Sequence, residues 1–173
     1  MISGAVTQET AERQFFVVND CPLAQYALRD LLTREQAFAC AGVANSLAEA
    51  AERLPDAFSG VLIATSNNMN LDSIDQLVEL IGRLNAKVLM LAPISEHNYP
   101  RYYKHIGVLG QLTHHSDPMV LVKAVETVLA GEEFVDSALE PFMTNGTPRE
   151  RSLLAYHSLS SREHQVMGKV VQG

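Results

Sequence analysis

The chain has 173 residues, 47% of them hydrophobic, and a formal net charge of -7, which suits one ordinary globular domain plus an appendage. The acidic balance argues against nucleic-acid binding by the chain itself, and no polybasic run is present to hold an anionic membrane. No apolar run approaches the roughly 20 residues of a membrane span, and the polar start from Met1 to Gln14 has no signal-peptide core, so a soluble cytoplasmic protein is expected.

Phe15-Phe16-Val17-Val18 is a short apolar run ended by Asn19-Asp20-Cys21-Pro22, the pattern of a buried strand and a loop. Leu23, Ala24, Ala27, Leu28, Leu31 and Leu32 then recur at helical spacing behind Pro22, which suits a first helical turn. Phe38 to Val43 predicts a second strand. Ser46, with Glu49 three residues on, can cap a helix through Leu54. Gly60 to Ala64 is a third buried strand, followed by a polar loop from Thr65 to Asn70.

Asp72 or Ser73 opens a helix with the stripe Ile74, Leu77, Val78, Ile81 and Leu84, and Val88 to Leu91 is the fourth strand. Glu96 to Ile106 predicts a weaker helix broken in pattern by Pro100, and Leu109 to Thr113 a fifth strand. Pro118 to Ala130 reads as a strong helix closed by Gly131. Alternating buried strands and amphipathic helices imply an α/β fold with helices on both faces of a parallel sheet. The flavodoxin-like form, five strands in the order 2-1-3-4-5, leads at this size. After Val135 the periodicity fails, and Asn145-Gly146 with two prolines reads as a linker. The expected organisation is an extension over 1–13, a domain over 14–135, a linker over 136–158 and a new helix starting at Ser160 or Ser161 within 159–173.

Two stretches carry a family resemblance. Val17-Val18-Asn19-Asp20-Cys21-Pro22-Leu23, Gly107-Val108-Leu109-Gly110 and Asp117-Pro118 with Leu121, Ala124-Val125, Val128 and Ala130-Gly131 resemble the skeleton of a response-regulator receiver. Leu159-Ser160-Ser161-Arg162-Glu163-His164-Gln165-Val166-Met167, with Gly173 beyond, resembles the opening of a LuxR-type helix-turn-helix domain. Together they are similar to a LuxR/FixJ (NarL)-type response regulator, and they imply a CheY-like receiver followed by a DNA-binding domain cut before its recognition helix. DNA would then be a partner of the full-length protein and not of this fragment.

That resemblance also implies a chemistry. A receiver takes phosphate onto a carboxylate at the end of strand three. It holds Mg²⁺, a hard cation, with acids after strand one, and offsets the phosphoryl charge with a strand-four hydroxyl and a strand-five lysine. Here the acceptor position falls on Ala64 or Thr65, the first acidic position is Asn19 with only Asp20 remaining, the hydroxyl position is Ala92 or Pro93, and the lysine position is His114. A degenerate, or pseudo-, receiver is therefore expected, with no phosphotransfer, no metal, no cofactor and no enzymatic activity.

Other groups have simpler readings. Asp72 and Asp75 suit a helix N-terminus, where acids favour the dipole. His97, His105, His114 and His115 match no metal-ligand spacing. Tyr99, Tyr102 and Tyr103 suit either a contact surface or the domain's own core. Cys21 and Cys40 lack CxxC spacing and point to neither a disulfide scaffold nor a zinc site. On the final helix, Leu121, Val122, Val125, Val128 and Leu129 should face the sheet, leaving Met119 and Val120 beside Lys123 and Thr127 as a candidate homodimer surface. The alternative is that Met119 and Val120 pack under the preceding loop.

The expected function is a transcription regulator whose receiver-like domain acts through dimerisation or through a partner or ligand. A protein-interaction adaptor docking to a kinase or another regulator, or a small-molecule-sensing pseudo-receiver, is the alternative. The chain encoded after residue 173 would discriminate them, since a basic recognition helix there favours the regulator.

Overall fold

The computed structural model describes residues 13–35, 38–65, 71–84, 86–93, 99–145, 150–151 and 155. The apolar runs become parallel strands: β1 (Gln14–Val18), β2 (Ala39–Ala44), β3 (Val61–Thr65), β4 (Lys87–Ala92), β5 (Gly110–Thr113) and β6 (Phe134–Val135). They form one sheet in the order β2-β1-β3-β4-β5-β6, a doubly wound, flavodoxin-like arrangement with the expected order 2-1-3-4-5. The sheet has six strands where five are predicted. Phe134 pairs with Gly110 and Val135 with Gln111, and two residues are too few to show a strand's period in sequence.

The helices are α1 (Pro22–Glu35), α2 (Leu47–Arg53), α3 (Leu71–Arg83), α4 (Pro100–His105), α5 (Pro118–Leu129) and α6 (Glu140–Asn145). Alternation along each strand divides the core between the two faces of the sheet. Phe16, Val18, Leu62, Val88 and Met90 pack with α2, α3 and α4. Phe15, Val17, Ile63, Leu89 and Leu112 pack with α1 and α5. Strands β1, β3 and β4 are buried on both faces, which is why their sequences are continuous hydrophobic runs.

Local signals set several helix ends. The Ser46 hydroxyl accepts from Glu49 N at 3.1 Å, and the Glu49 carboxylate accepts from Asn45 N at 2.7 Å. The box thus reaches one residue before the cap. Asp117 caps α5 by accepting from Met119 N at 2.8 Å, with Pro118 in the first turn.

Four expectations change. First, α4 begins at Pro100, whose fixed φ suits a first turn; 94–98 lie outside the described residues. Second, the choice left open for Tyr99, Tyr102 and Tyr103 closes on the core reading, since all three are buried. Third, Leu80 joins Ile74, Leu77 and Leu84 in the core, while Val78 is only half-buried. Fourth, the apolar stripe of α1 is only partly buried: Leu32 is covered and Leu28 and Leu31 pack on the core, but Leu23 is 75% exposed.

The range 136–158, expected to be a linker, is ordered at least in its first part. A 3-10 turn covers Ser137–Leu139 and runs into α6, which lies against α4. Leu139 is fully buried, and the buried Glu150 carboxylate accepts from Tyr102 N at 2.8 Å. The helix expected within 159–173 lies outside the described residues.

Candidate functional site

Parallel pairing brings the candidate residues to one edge of the sheet. Val18 pairs with Ala64, Thr65 with Leu91, and Ala92 with Thr113. Asn19, Thr65, Ala92 and His114 therefore end their strands side by side, where ligands of open α/β sheets collect.

The register explains the contact at the centre. Asn19 follows Val18 and Thr65 follows Ala64, so the two side chains meet. Asn19 Nδ2 donates to Thr65 Oγ1 at 2.8 Å, and Asn19 Oδ1 accepts from Cys21 N at 2.8 Å. The Asn19 backbone carbonyl accepts from Gln25 Nε2, which also reaches Asn45 Oδ1 at 3.2 Å. Asn19 is buried, Thr65 is half-buried and Asp20 is exposed. Ala64 points its methyl group into the core on the α2–α4 side, and Ala92 is buried as well. An aspartate at Ala64 would place an uncompensated charge among hydrocarbon, so Thr65 is the position of the pair that reaches the site.

His114 is exposed, at the rim. Its imidazole is held below its ordinary titration range, first by partial burial and then by the neighbouring His115. Below His114, Thr113 and Ser116 form a hydroxyl pair at 3.3 Å, and Ser116 Oγ donates to Asp136 Oδ2. Asp136 Oδ1 also accepts from Ala138 N at 2.8 Å, capping the 3-10 turn. The sequence reading missed this link. Asp136 offers the short cap signal of an acid before Ser137, but its distance from Ser116 in the chain hides the contact. Among the described residues, no three His, Cys, Asp or Glu side chains are grouped to hold a metal. Cys21 and Cys40 are free thiols.

The candidate dimer surface divides. Met119 is 51% exposed, and Lys123 is exposed. Thr127 donates back to Lys123 O at 2.9 Å. Val120, however, packs against the α1–α5 core, because its position on the first turn swings it under the sheet side. Leu129 is only partly buried there. Among the described residues, no helix is long and apolar enough to cross a membrane.

No protein-family model matches the chain, and none of the curated proteins does. Solved structures do. The isolated receiver domain of RcsB from Salmonella enterica serovar Typhimurium is 17% identical, with a TM-score of 0.62 over 76% of this chain and 98% of that one. A LuxR-family DNA-binding response regulator from Silicibacter pomeroyi is 23% identical, with a TM-score of 0.60 over 72% and 98%. The response regulator RcsB in its complex with DNA is 15% identical, with a TM-score of 0.62 over 86% and 78%. At such identities the likeness is one of fold, and the fold of this chain is that of CheY-like receiver domains.

Proposed function

We propose that the protein is a LuxR-type transcription regulator with a degenerate receiver, which works without aspartyl phosphate and changes state through dimerisation or through a bound partner or ligand. The observation that carries this reading is the Asn19–Thr65 hydrogen bond at 2.8 Å. It joins neutral side chains at the two positions where a receiver would hold its metal ligand and its phosphate acceptor. Asp20 is the one carboxylate beside them on the β1 loop, and an isolated carboxylate binds Mg²⁺ poorly. DNA is the partner proposed by likeness to RcsB, and a kinase or a second regulator is a further candidate.

The test exposes the chain to acetyl phosphate and Mg²⁺, and separately to a phosphorylated histidine kinase domain, and reads intact mass. No phosphoryl adduct is expected. A stoichiometric adduct mapped by peptide mass to the segment 64–70 would defeat the reading.

A further inference from the structure

A cleft of about 390 Å³ opens between α1 and α5 at the carboxyl edge of the sheet. Its origin is in the sequence of α1. Ala24 and Ala27 are the residues that α1 turns toward α5 at this level, and their methyl groups are too short to close the gap. Farther along the helix Leu32 is fully buried and the packing is closed. Leu28, Leu91 and Leu121 complete an apolar wall, while Asn19, Thr113 and His114 form one polar end.

We propose that this cleft binds an uncharged, largely apolar small molecule carrying one hydrogen-bonding group. The volume lies within the range of small-molecule sites, roughly 300–1,000 Å³, and the lining has their usual makeup of apolar wall and few polar groups. The polar end selects against an anion. Asn19 gives one amide N–H to Thr65 and one lone pair to Cys21 N, and the Thr113 hydroxyl is paired with Ser116. What remains is neutral: the second Asn19 N–H and lone pair, and the His114 ring, whose neutral form offers one donor and one acceptor. The nearby carboxylates of Asp117 and Asp136 are engaged in caps and repel an anion. An anion would lose its hydration there without a counter-charge.

The same cleft has a route to the rest of the chain. A molecule seated against His114 and Ser116 presses on the loop that Ser116 ties to Asp136. Asp136 in turn caps the turn leading into α6. Occupancy therefore acts on the start of the segment that leads away from the domain. A ligand shifts such an equilibrium only by binding one arrangement better than the other, and the His114–Ser116 loop is where the arrangements would differ. The inference rests on the reading that something other than phosphate switches this domain. The two fail separately, since a phosphoryl adduct defeats that reading without touching the cleft.

The probe is 1-naphthol, neutral at pH 7, with two fused rings and one hydroxyl; 1-naphthoate is its anionic counterpart. The full chain, labelled at leucine methyls, is titrated by NMR. Saturable shifts are expected for Leu28, Leu91 and Leu121, accompanied by the Ala138 amide, with 1-naphthoate about tenfold weaker. Ala27→Phe, at an exposed lining position, should weaken 1-naphthol about tenfold while the Leu62 and Leu80 methyls keep their positions. Ala24→Phe provides a second filling. Binding that survives both fillings, or equal affinity for the two probes, would overturn the proposal. So would wall-methyl shifts that follow protein concentration with no probe present, which would assign the cleft to a second copy of the chain. A static Ala138 amide beside saturating wall methyls would remove the route to α6.

Discussion

Removing the Asn19–Thr65 contact should weaken the fold by a measurable, coupled amount. Asn19→Ala deletes two side-chain bonds, one to Thr65 Oγ1 and one from Cys21 N, each at 2.8 Å. At about 1 kcal/mol net for each bond, the loss is about 2 kcal/mol. Cys21 is exposed and its N–H can turn to water, so the true value should fall slightly below that sum. Thr65→Val keeps the shape and removes the hydroxyl, leaving the Asn19 amide without its acceptor. Thr65 is half-buried, so water partly replaces the bond and the cost is about 1 kcal/mol. If the two side chains form one unit, the double variant loses about 1 kcal/mol less than the sum of the single variants. Urea unfolding followed by circular dichroism measures all four corners of this cycle. A coupling energy within about 0.3 kcal/mol of zero would show that Asn19 and Thr65 do not hold each other, and the account of this neutral pair would fall with it.

Three further outcomes are expected. His114 titrates below the ordinary value of 6.5, so the unfolded chain takes up that proton first. Stability should fall as the pH descends through 6.5 and level off below the folded-state value; His114→Gln should flatten this part of the profile of urea midpoints, and an unchanged slope would refute the assignment. Gly110→Ala would bring a Cβ to 2.7 Å from Val128 Cγ2 and 2.9 Å from Leu89 Cγ, costing about 1–3 kcal/mol through overpacking; an unaltered thermal midpoint would contradict that packing. Met119→Asp should cost under about 0.5 kcal/mol at its exposed site, whereas Val120→Asp should cost about 1–2 kcal/mol by burying a charge partway. If the α5 surface mediates self-association, sedimentation of Met119→Asp shows a weakened dimer at unchanged stability, and a dimer indifferent to it removes that surface.

The sequence made the fold legible where burial is symmetric. β1, β3 and β4 lie between two helical layers, so Phe15–Val18, Val61–Ala64 and Val88–Leu91 stand out as unbroken apolar runs. Pro118 and Asp117 likewise marked the start of α5 by local chemistry alone. Legibility ended where tertiary context decides. The apolar spacing of α1 is truly helical, yet spacing cannot say that α5 stands too far off to cover Ala24 and Ala27. Asn19 and Thr65, the latter as an alternative to Ala64, could be placed at the strand ends, but their bond depends on a β1–β3 register that no local pattern encodes. The segment after Val135 looked irregular because its anchors, Leu139 and Glu150, make contacts with distant residues such as Tyr102.

The sixth strand has a consequence for how the protein stays apart from its neighbours. A row of unpaired backbone groups along a sheet margin invites strand addition and aggregation. On one margin β6 occupies Gly110 and Gln111 of β5 and then, at Asp136, turns away into a 3-10 turn, so the chain ends its own ladder after two residues. On the other margin β2 is long enough to template a partner, but its pairing with β1 slips between Phe15 and Phe16, and Gly42 there adopts a φ of 151°. An irregular, twisted rim is a poor match for a flat incoming strand. The two borders are blunted by different means, one by a short cover and one by a flaw in register. Straightening β2 should promote assembly of the protein edge to edge.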